Sequence, residues 1–476
     1  MPLGNNRSSF VLRYISTRGT APVLGFEDVL LSGLARDGGL YVPEVWPRFS
    51  ADELRALSGK SYPEVALAVL KPFVGDAIPE VELMEMIDAA YATFGHKAVA
   101  PLKQLDANHW LLELFHGPTL AFKDVAMQLL ARLMDWSLTR SNSTATIVGA
   151  TSGDTGGAAI EAFANSKRAS IFILHPHGRV SEVQRRQMTT VIAPHVHNIA
   201  LEGTFDDAQA HVKAMFNDMA FRERVALSGV NSINWARIMA QTVYYVTSAL
   251  ALGAPGRAVS FTVPTGNFGD IFAGYAAMRM GVPIARLVIA TNVNDILDRT
   301  LKTGRYEVTG VKPSTSPSMD IQVSSNFERL LFETHGRDAA AVAGMMASLQ
   351  QSGSFAIGEK SLKEMRALFG SSRTGEAETA ETIRMTLAET GELLDPHTAV
   401  GYAAAKLHAR ESEPMVTLAT AHPAKFPDAV EKASGIRPGL PDRLSDLLQR
   451  PEKMEVLPND LKTLQNYILA RTGRAS

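Results

Sequence analysis

The sequence predicts an α/β fold in which parallel sheets are covered on both faces by helices, preceded by a mostly helical N-terminal layer. Two observations carry this. From Trp110 onward, short apolar segments rich in β-branched residues and bounded by turn residues recur at 110–115, 144–148, 170–174, 196–201, 259–263, 286–290 and 415–419. The stretches between them, such as 155–165 and 205–225, are long enough to be helices. Short buried strands separated by helices are the pattern of parallel sheets.

Taken in order, residues 1–14 show no pattern. Tyr14 to Gly19 is strand-like and ends at a turn, 26–34 has a helical period, and Gly38-Gly39 leads into a short strand ending at Pro43. Residues 51–57, 62–70 and 81–94 give three further helices. After the first strands and helices, 306–323 breaks the pattern with Pro313, Pro317 and several Ser and Thr. Long loops inside compact domains are often functional. Helical periodicity returns over 326–410, and the tail 436–476, rich in Pro and charge, is expected to pack as surface helices. There is no internal repeat.

Composition narrows the function classes. A chain of 476 residues can bury large cores, and its profile of 46% hydrophobic and 20% charged residues is that of an ordinary globular protein. A formal net charge of −2 argues against a nucleic-acid partner. The absence of cysteine excludes disulfides, thiol catalysis and thiolate metal sites, and fits a reducing compartment. No apolar run approaches the length of a membrane span, and the first residues lack a signal-peptide core. A cytoplasmic location without a membrane partner is expected.

The chemistry centres on His116-Gly117-Pro118-Thr119-Leu120-Ala121-Phe122-Lys123-Asp124. Gly117-Pro118 breaks the preceding strand, and Leu120, Val125, Leu129, Leu130 and Leu133 then recur at helical spacing. Lys123 therefore sits near a helix N-terminus, where the partial positive charge disfavours an ammonium. With partial burial, that field favours the neutral amine that can condense with an aldehyde. Two glycine-rich turns follow predicted strands: Gly149 to Gly157, and Pro264 to Asp270. Both suit an anion at a helix start, and neither is a P-loop or a dinucleotide fingerprint. One loop for a cofactor phosphate, one for a substrate carboxylate and a lysine for an aldehyde would make a pyridoxal phosphate site. His116 and His422 read as structural or ring-stacking residues. His175, His177, His195 and His197 fall across two strand ends, and no metal site is expected there. Asp206-Asp207 and Arg185-Arg186 read as solvated helix faces.

With these residues in view, the chain resembles the threonine synthase family of the longer bacterial and fungal kind, within the fold-type II pyridoxal-phosphate enzymes. The resemblance runs from YISTRG at Tyr14 and LARDGGLYVPE at Leu34 to TAHPAKF at Thr420. Between them lie HGPTLAFKD, GATSGDTGG, NSINWAR, PTGNFGD and the SPSMDI…SNFERLL run at 316–330. It implies two open, mostly parallel sheets with helices on both faces. The implied division is a helical region at 1–98, a cofactor and substrate region at 99–270, a second α/β region closing the site at 271–435, and a helical tail at 436–476.

The resemblance also implies roles. Lys123 matches the lysine that binds the cofactor covalently and serves as catalytic base. Gly266, Asn267, Phe268 and Gly269 match the loop whose amides hold the cofactor phosphate, and Thr420 the hydroxyl that meets the pyridine nitrogen. Thr151, Ser152, Gly153 and Thr155 match the loop that grips the substrate carboxylate. Asn231, Ser232 and Arg237 match a substrate-phosphate subsite, where a guanidinium can pair two oxygens. Asp154 stands where many fold-type II enzymes have an Asn facing the cofactor 3′-oxygen. A carboxylate there is either protonated or turned away to cap the following helix. The implied activity converts O-phospho-L-homoserine and water to L-threonine and phosphate. The alternatives are another fold-type II enzyme such as a threonine or serine dehydratase, or a non-catalytic metabolite-binding relative. A dehydratase needs no phosphate subsite at Asn231, Ser232 and Arg237.

Overall fold

The computed structural model of the protein describes residues 12–472. Residues 1–11 of the unpatterned start, and the last four, lie outside the described residues.

Two sheets form the frame. The larger has six strands in the order Phe369–Arg373, Ile284–Thr291, Val259–Pro264, Met415–Ala419, His109–Glu113 and Leu102–Gln104. All its pairings are parallel except the last, where Leu102–Gln104 runs antiparallel along the edge. The second has five parallel strands in the order Glu455–Pro458, Val196–Glu202, Ala169–Pro176, Ala145–Ala150 and Leu227–Ser228. Val259–Pro264 and Met415–Ala419 are buried along their whole length, as strands covered on both faces must be. The larger sheet gathers strands from both sides of residue 270, so each sheet is assembled across the linear order of the chain.

The N-terminal region is helical as its periodicity predicts, with helices Phe26–Ser32, Ala51–Ala56, Tyr62–Val74 and Glu80–Tyr91. Ser50 with Glu53 and Ser61 with Glu64 form reciprocal capping boxes at two helix starts. Tyr14–Ser16 and Tyr41–Pro43 pair as a small antiparallel ribbon. This layer has no core of its own. Tyr14, Trp46 and Phe73 close their rings around the fully buried Trp235 of the central helix Trp235–Ala251.

Three expectations need correction. The helix expected over 205–225 is two helices, Phe205–Asn217 and Met219–Val225, because the Asp218 carboxylate accepts the Phe221 N–H and starts the second. The stretch 326–410 is not purely helical: Ser354–Ala356 is a strand, and Phe369–Arg373, sequence FGSSR, is the edge of the large sheet. Two Ser and a Gly hide it from β-propensity. The tail is not only surface helix. Glu455–Pro458 extends the five-stranded sheet, and Leu461–Leu469 buries Leu464 and Ile468 among Val148, Phe172 and Leu174. Among the described residues, no helix is long and apolar enough to cross a membrane.

Candidate active site

The functional loops all leave the carboxyl ends of parallel strands, where α/β folds bind ligands. Residues 151–153 follow Ala145–Ala150, residues 265–268 follow Val259–Pro264, and Thr420 follows Met415–Ala419. The chain leaving His109–Glu113 turns at Gly117 and enters the helix Lys123–Arg140 with Lys123 as its first residue. Gly117 is required there: a Cβ would lie 2.4 Å from the Asp124 Cβ. Asp124 folds back and accepts the Thr119 N–H at 2.8 Å and its hydroxyl at 2.7 Å, which shapes the turn. Two backbone bonds, Phe122 N–H to Thr420 O and His422 N–H to Leu120 O, stitch the lysine loop to the Thr420 loop.

These loops enclose a cavity of about 290 Å³. Lys123, Thr151, Ser152, Asp154, Thr155, Asn231, Ser232, Arg237, Gly266, Asn267, Phe268, Gly269 and Thr420 all line it. Gly153 does not. Its φ of +142° and its approach to Gln184 give it a role in bending the loop. Thr151 is partly committed to the same task, since its hydroxyl oxygen accepts the N–H groups of Gly153 and Gly156, both at 2.9 Å. Its single hydroxyl proton is what it can offer a ligand.

The second glycine loop is held from behind. Phe268 has φ +62°, and its buried ring packs against Phe327 and Phe369, which anchors this left-handed turn. The helix Gly269–Arg279 that follows starts without a side-chain cap. Its free amide groups are therefore an anion site. Arg237 is buried, its Nε has no partner, and among the described residues the hydrogen bond its side chain makes is a long one to Val230 O at 3.5 Å. Burial lowers its pKa to about 10, so it remains a cation at neutral pH, one that an anionic ligand would satisfy.

Asp154 does not take the helix-capping role, one of its two expected alternatives. The N-cap of its helix is Gly153, with no side-chain cap bond. Its Oδ2 accepts from Ser318 Oγ at 2.9 Å and Lys123 Nζ at 3.3 Å. Its Oδ1 accepts from Gln184 Nε2 at 2.9 Å and pairs with Lys425 Nζ at 3.1 Å. Burial alone would raise its pKa. The charges of Lys425, Lys123 and His397 and the Gln184 bond outweigh it and hold the carboxyl well below the usual range. Lys123 is pushed down by burial, aided by the Lys425 and Arg237 charges and opposed by Asp154.

Several residues here were not singled out from the sequence. Ser318 comes from the long loop, on the short turn Pro317–Met319, and its backbone N–H donates to His397 Nε2 at 3.2 Å. His397 is fixed in turn by Asp395 at 2.7 Å. Asp270 lines the cavity with one oxygen unpartnered, while Tyr244 and Tyr245 donate to the other. Asn326 Nδ2 donates to Asn267 O at 2.9 Å and to Ser232 O at 3.2 Å, bracing the two loops together. The fully buried Arg329 donates to Asn326 Oδ1, Tyr41 O and Ile233 O. Thr17 and Arg18 grip Glu328 beside it. This is why the N-terminal motifs matter although they carry no reactive group. Their signal was present in the SNFERLL run, but its partners were not.

The remaining histidines lie elsewhere. His116 pairs with Glu113 at 2.7 Å, and His422 accepts the Ala424 N–H; neither lines this cavity. His197 stacks on Phe172, and His195 bonds to Phe163 O.

The family description "Pyridoxal-phosphate dependent enzyme" matches residues 94–421, flanked by "Threonine synthase N terminus" over 13–91 and "Threonine synthase, C-terminal" over 398–468. A threonine synthase of Pseudomonas aeruginosa is 55% identical over 97% of this chain and 99% of its own. The chain belongs to the threonine synthase family. Its fold agrees. A crystal structure of the pyridoxal-phosphate-bound threonine synthase from Brucella melitensis superposes with a TM-score of 0.96 at 62% identity, covering 97% of this chain and 100% of that one. The yeast threonine synthase superposes with a TM-score of 0.92 at 39% identity, covering 98% and 99%. The family is one of pyridoxal-phosphate-dependent lyases acting on a small-molecule substrate.

Its cofactor fits the residues present. The cavity offers a buried primary amine with a lowered pKa, an uncapped helix start for a phosphate and a hydroxyl at Thr420.

Proposed function

We propose that this chain binds pyridoxal phosphate through Lys123 and converts O-phospho-L-homoserine and water to L-threonine and phosphate. The observation that carries the choice of substrate is Arg237. It is a buried guanidinium with an unpartnered Nε, in the same cavity as a buried lysine and two glycine loops. A substrate with both an α-amino acid head and a phosphate tail satisfies all of them.

The amides of Gly266, Asn267, Phe268 and Gly269 would hold the cofactor phosphate, and the Thr420 hydroxyl the ring nitrogen. When bound, the cofactor supplies an aldehyde for amines and an electron sink for the pair left at Cα. Thr151, Ser152 and Thr155, on the loop that Gly153 bends, would orient the substrate carboxylate, and Asn231, Ser232 and Arg237 the phosphate. Lys123, as a free amine, would take the Cα proton. Its lowered pKa supports the free-base form that this needs. A Cβ proton is also lost as the Cγ–O bond to phosphate breaks. Cγ then gains a proton to become the methyl group, a water oxygen bonds to Cβ with loss of its proton, and a proton returns to Cα. Asp154 stands against Lys123 with its charge intact and directs the amine.

The regions 99–270 and 271–435 would act as two halves of the site, the first bringing Lys123 and the glycine loops, the second Ser318, His397 and Thr420. The lack of cysteine fits a cytoplasmic setting. The deciding experiment is phosphate release from O-phosphohomoserine measured together with threonine formation. Equal rates support the reading. Release of 2-oxobutyrate from threonine at a comparable rate would point to a dehydratase instead.

A further inference from the structure

Asp154 has a second cation that the chemistry above leaves unused. Lys425 does not line the cavity, but it stands directly against Asp154, which does. It is fully buried, on the turn Pro423–Lys425 just after Thr420. Its Nζ meets three oxygens: Thr119 O at 2.7 Å, Gln187 Oε1 at 2.9 Å and Asp154 Oδ1 at 3.1 Å. An ammonium has three N–H groups and no lone pair, and so matches three oxygens. A neutral amine would turn its lone pair onto one of them. Lys425 is therefore a fixed positive charge.

The two oxygens of Asp154 thus face one cation each, and the two cations differ in what they can become. Lys123 has to lose its proton to react with an aldehyde or to act as a base. A buried carboxylate with Lys123 as its only partner would resist that loss strongly, because it would be left uncompensated. Lys425 removes the obstacle. We propose that Lys425 is a positioning residue for the reaction: a permanent counter-ion to Asp154 that leaves Lys123 free to give up its proton. The inference rests on the reading of Lys123 as the cofactor-binding amine and of Asp154 as its neighbour.

The sign of its effect follows from the charges in place. Asp154 faces Lys123, Lys425 and His397, together with the neutral Gln184 and Ser318. Lys123 feels Asp154, Lys425, Arg237 and Asp270. Lys123 Nζ lies 3.3 Å from Asp154 Oδ2, so a titration read at one carries the charge of the other. Removing a fixed cation makes the pair hold its proton to higher pH, and removing the carboxylate charge makes it release at lower pH.

The test is a pH titration of the visible absorption of the cofactor-loaded protein, in wild type, Asp154→Asn, Lys425→Met, Lys425→Arg and the double variant Asp154→Asn/Lys425→Met. The midpoint should rise by about one pH unit or more in Lys425→Met and fall by a similar amount in Asp154→Asn. Lys425→Arg should stay within a few tenths of wild type, even where cofactor affinity drops. If Lys425→Met takes up no cofactor, the double variant should still do so, since both members of the buried pair leave together. An unmoved or lowered midpoint in Lys425→Met, or a double variant as empty as an empty single one, would overturn the proposal. So would an arginine variant shifted as far as the methionine one. An unmoved Asp154→Asn curve would remove the Asp154 reading and this inference with it. A moved Asp154→Asn curve beside an unmoved Lys425→Met curve would remove the inference alone.

Discussion

At the residue scale the site is a set of charges with unequal freedom. Lys123 faces a carboxylate already matched by a second cation, and Arg237 lacks a partner for its Nε. Replacing Lys123 by Ala should leave a folded protein that lacks the absorption band of a lysine–cofactor adduct and yields no borohydride-trapped adduct. Replacing Arg237 by Lys keeps the charge but loses the planar fork. That should raise KM for O-phosphohomoserine by roughly 1.5–3 kcal/mol, or about 10- to 150-fold, with little change in cofactor Kd. Equal loss in both constants would place Arg237 at the cofactor.

Asp270 makes a pH prediction. Burial raises its carboxyl to about 7, against the pull of the Tyr244 and Tyr245 hydroxyls and the Lys123 and Arg237 charges. Between the unfolded carboxylate pKa and about 7, the folded protein holds a proton that the unfolded chain has lost. Its contribution is fully present below that window and lost as pH rises through it. The stability of wild type should therefore fall relative to Asp270→Asn between about pH 4 and 7, by roughly 1.4 kcal/mol per unit at most. Parallel melting-temperature profiles for the two would show that Asp270 ionises freely.

At the element scale, the loops that carry Asn267 and Ser232 are held by an element with no reactive group. The helix Phe327–Thr334 and the Asn326 before it brace Asn267 and Ser232 while gripping the N-terminal ribbon through Glu328 and Arg329. Asn326→Ala leaves two loop carbonyls without this donor, at a combined cost of roughly 1–3 kcal/mol. Because one amide serves both loops, cofactor Kd and substrate KM should rise together, unlike the split expected for Arg237→Lys. Separate measurement of the two constants distinguishes a brace from a binding residue.

Across the whole molecule, the C-terminal tail completes the second sheet although it lies far from it in sequence. Glu455–Pro458 pairs with Val196–Glu202, and Leu464 and Ile468 are fully buried against that sheet. Leu464→Ala should lower stability by roughly 2–5 kcal/mol. The cavity lies on other elements, so KM for the remaining folded protein should not change. A change in KM at unchanged melting temperature would mean that the tail communicates with the site.

The strands 110–115, 259–263 and 415–419, the N-terminal helices and Lys123 at a strand–helix junction were legible in the sequence because each is written in local order: an apolar period, a capping box or a Gly-Pro break. The two glycine loops were legible for the same reason. Their roles came through the motif resemblance. The strands Phe369–Arg373 and Glu455–Pro458 were not legible, because neighbouring strands rather than their own side chains stabilise them. Asp154 could be read only as a carboxylate in an unusual place. Its state was decided by four donors from four different parts of the chain: Lys123, Gln184, Ser318 and Lys425. Lys425 stood in a quoted motif with no assigned task, because its Thr119 acceptor lies 306 residues away. Periodicity and turn chemistry act over a few residues and survive in the sequence. The electrostatic balance of a buried site depends on which distant charges the fold brings within 3 to 4 Å, and only the tertiary structure decides that.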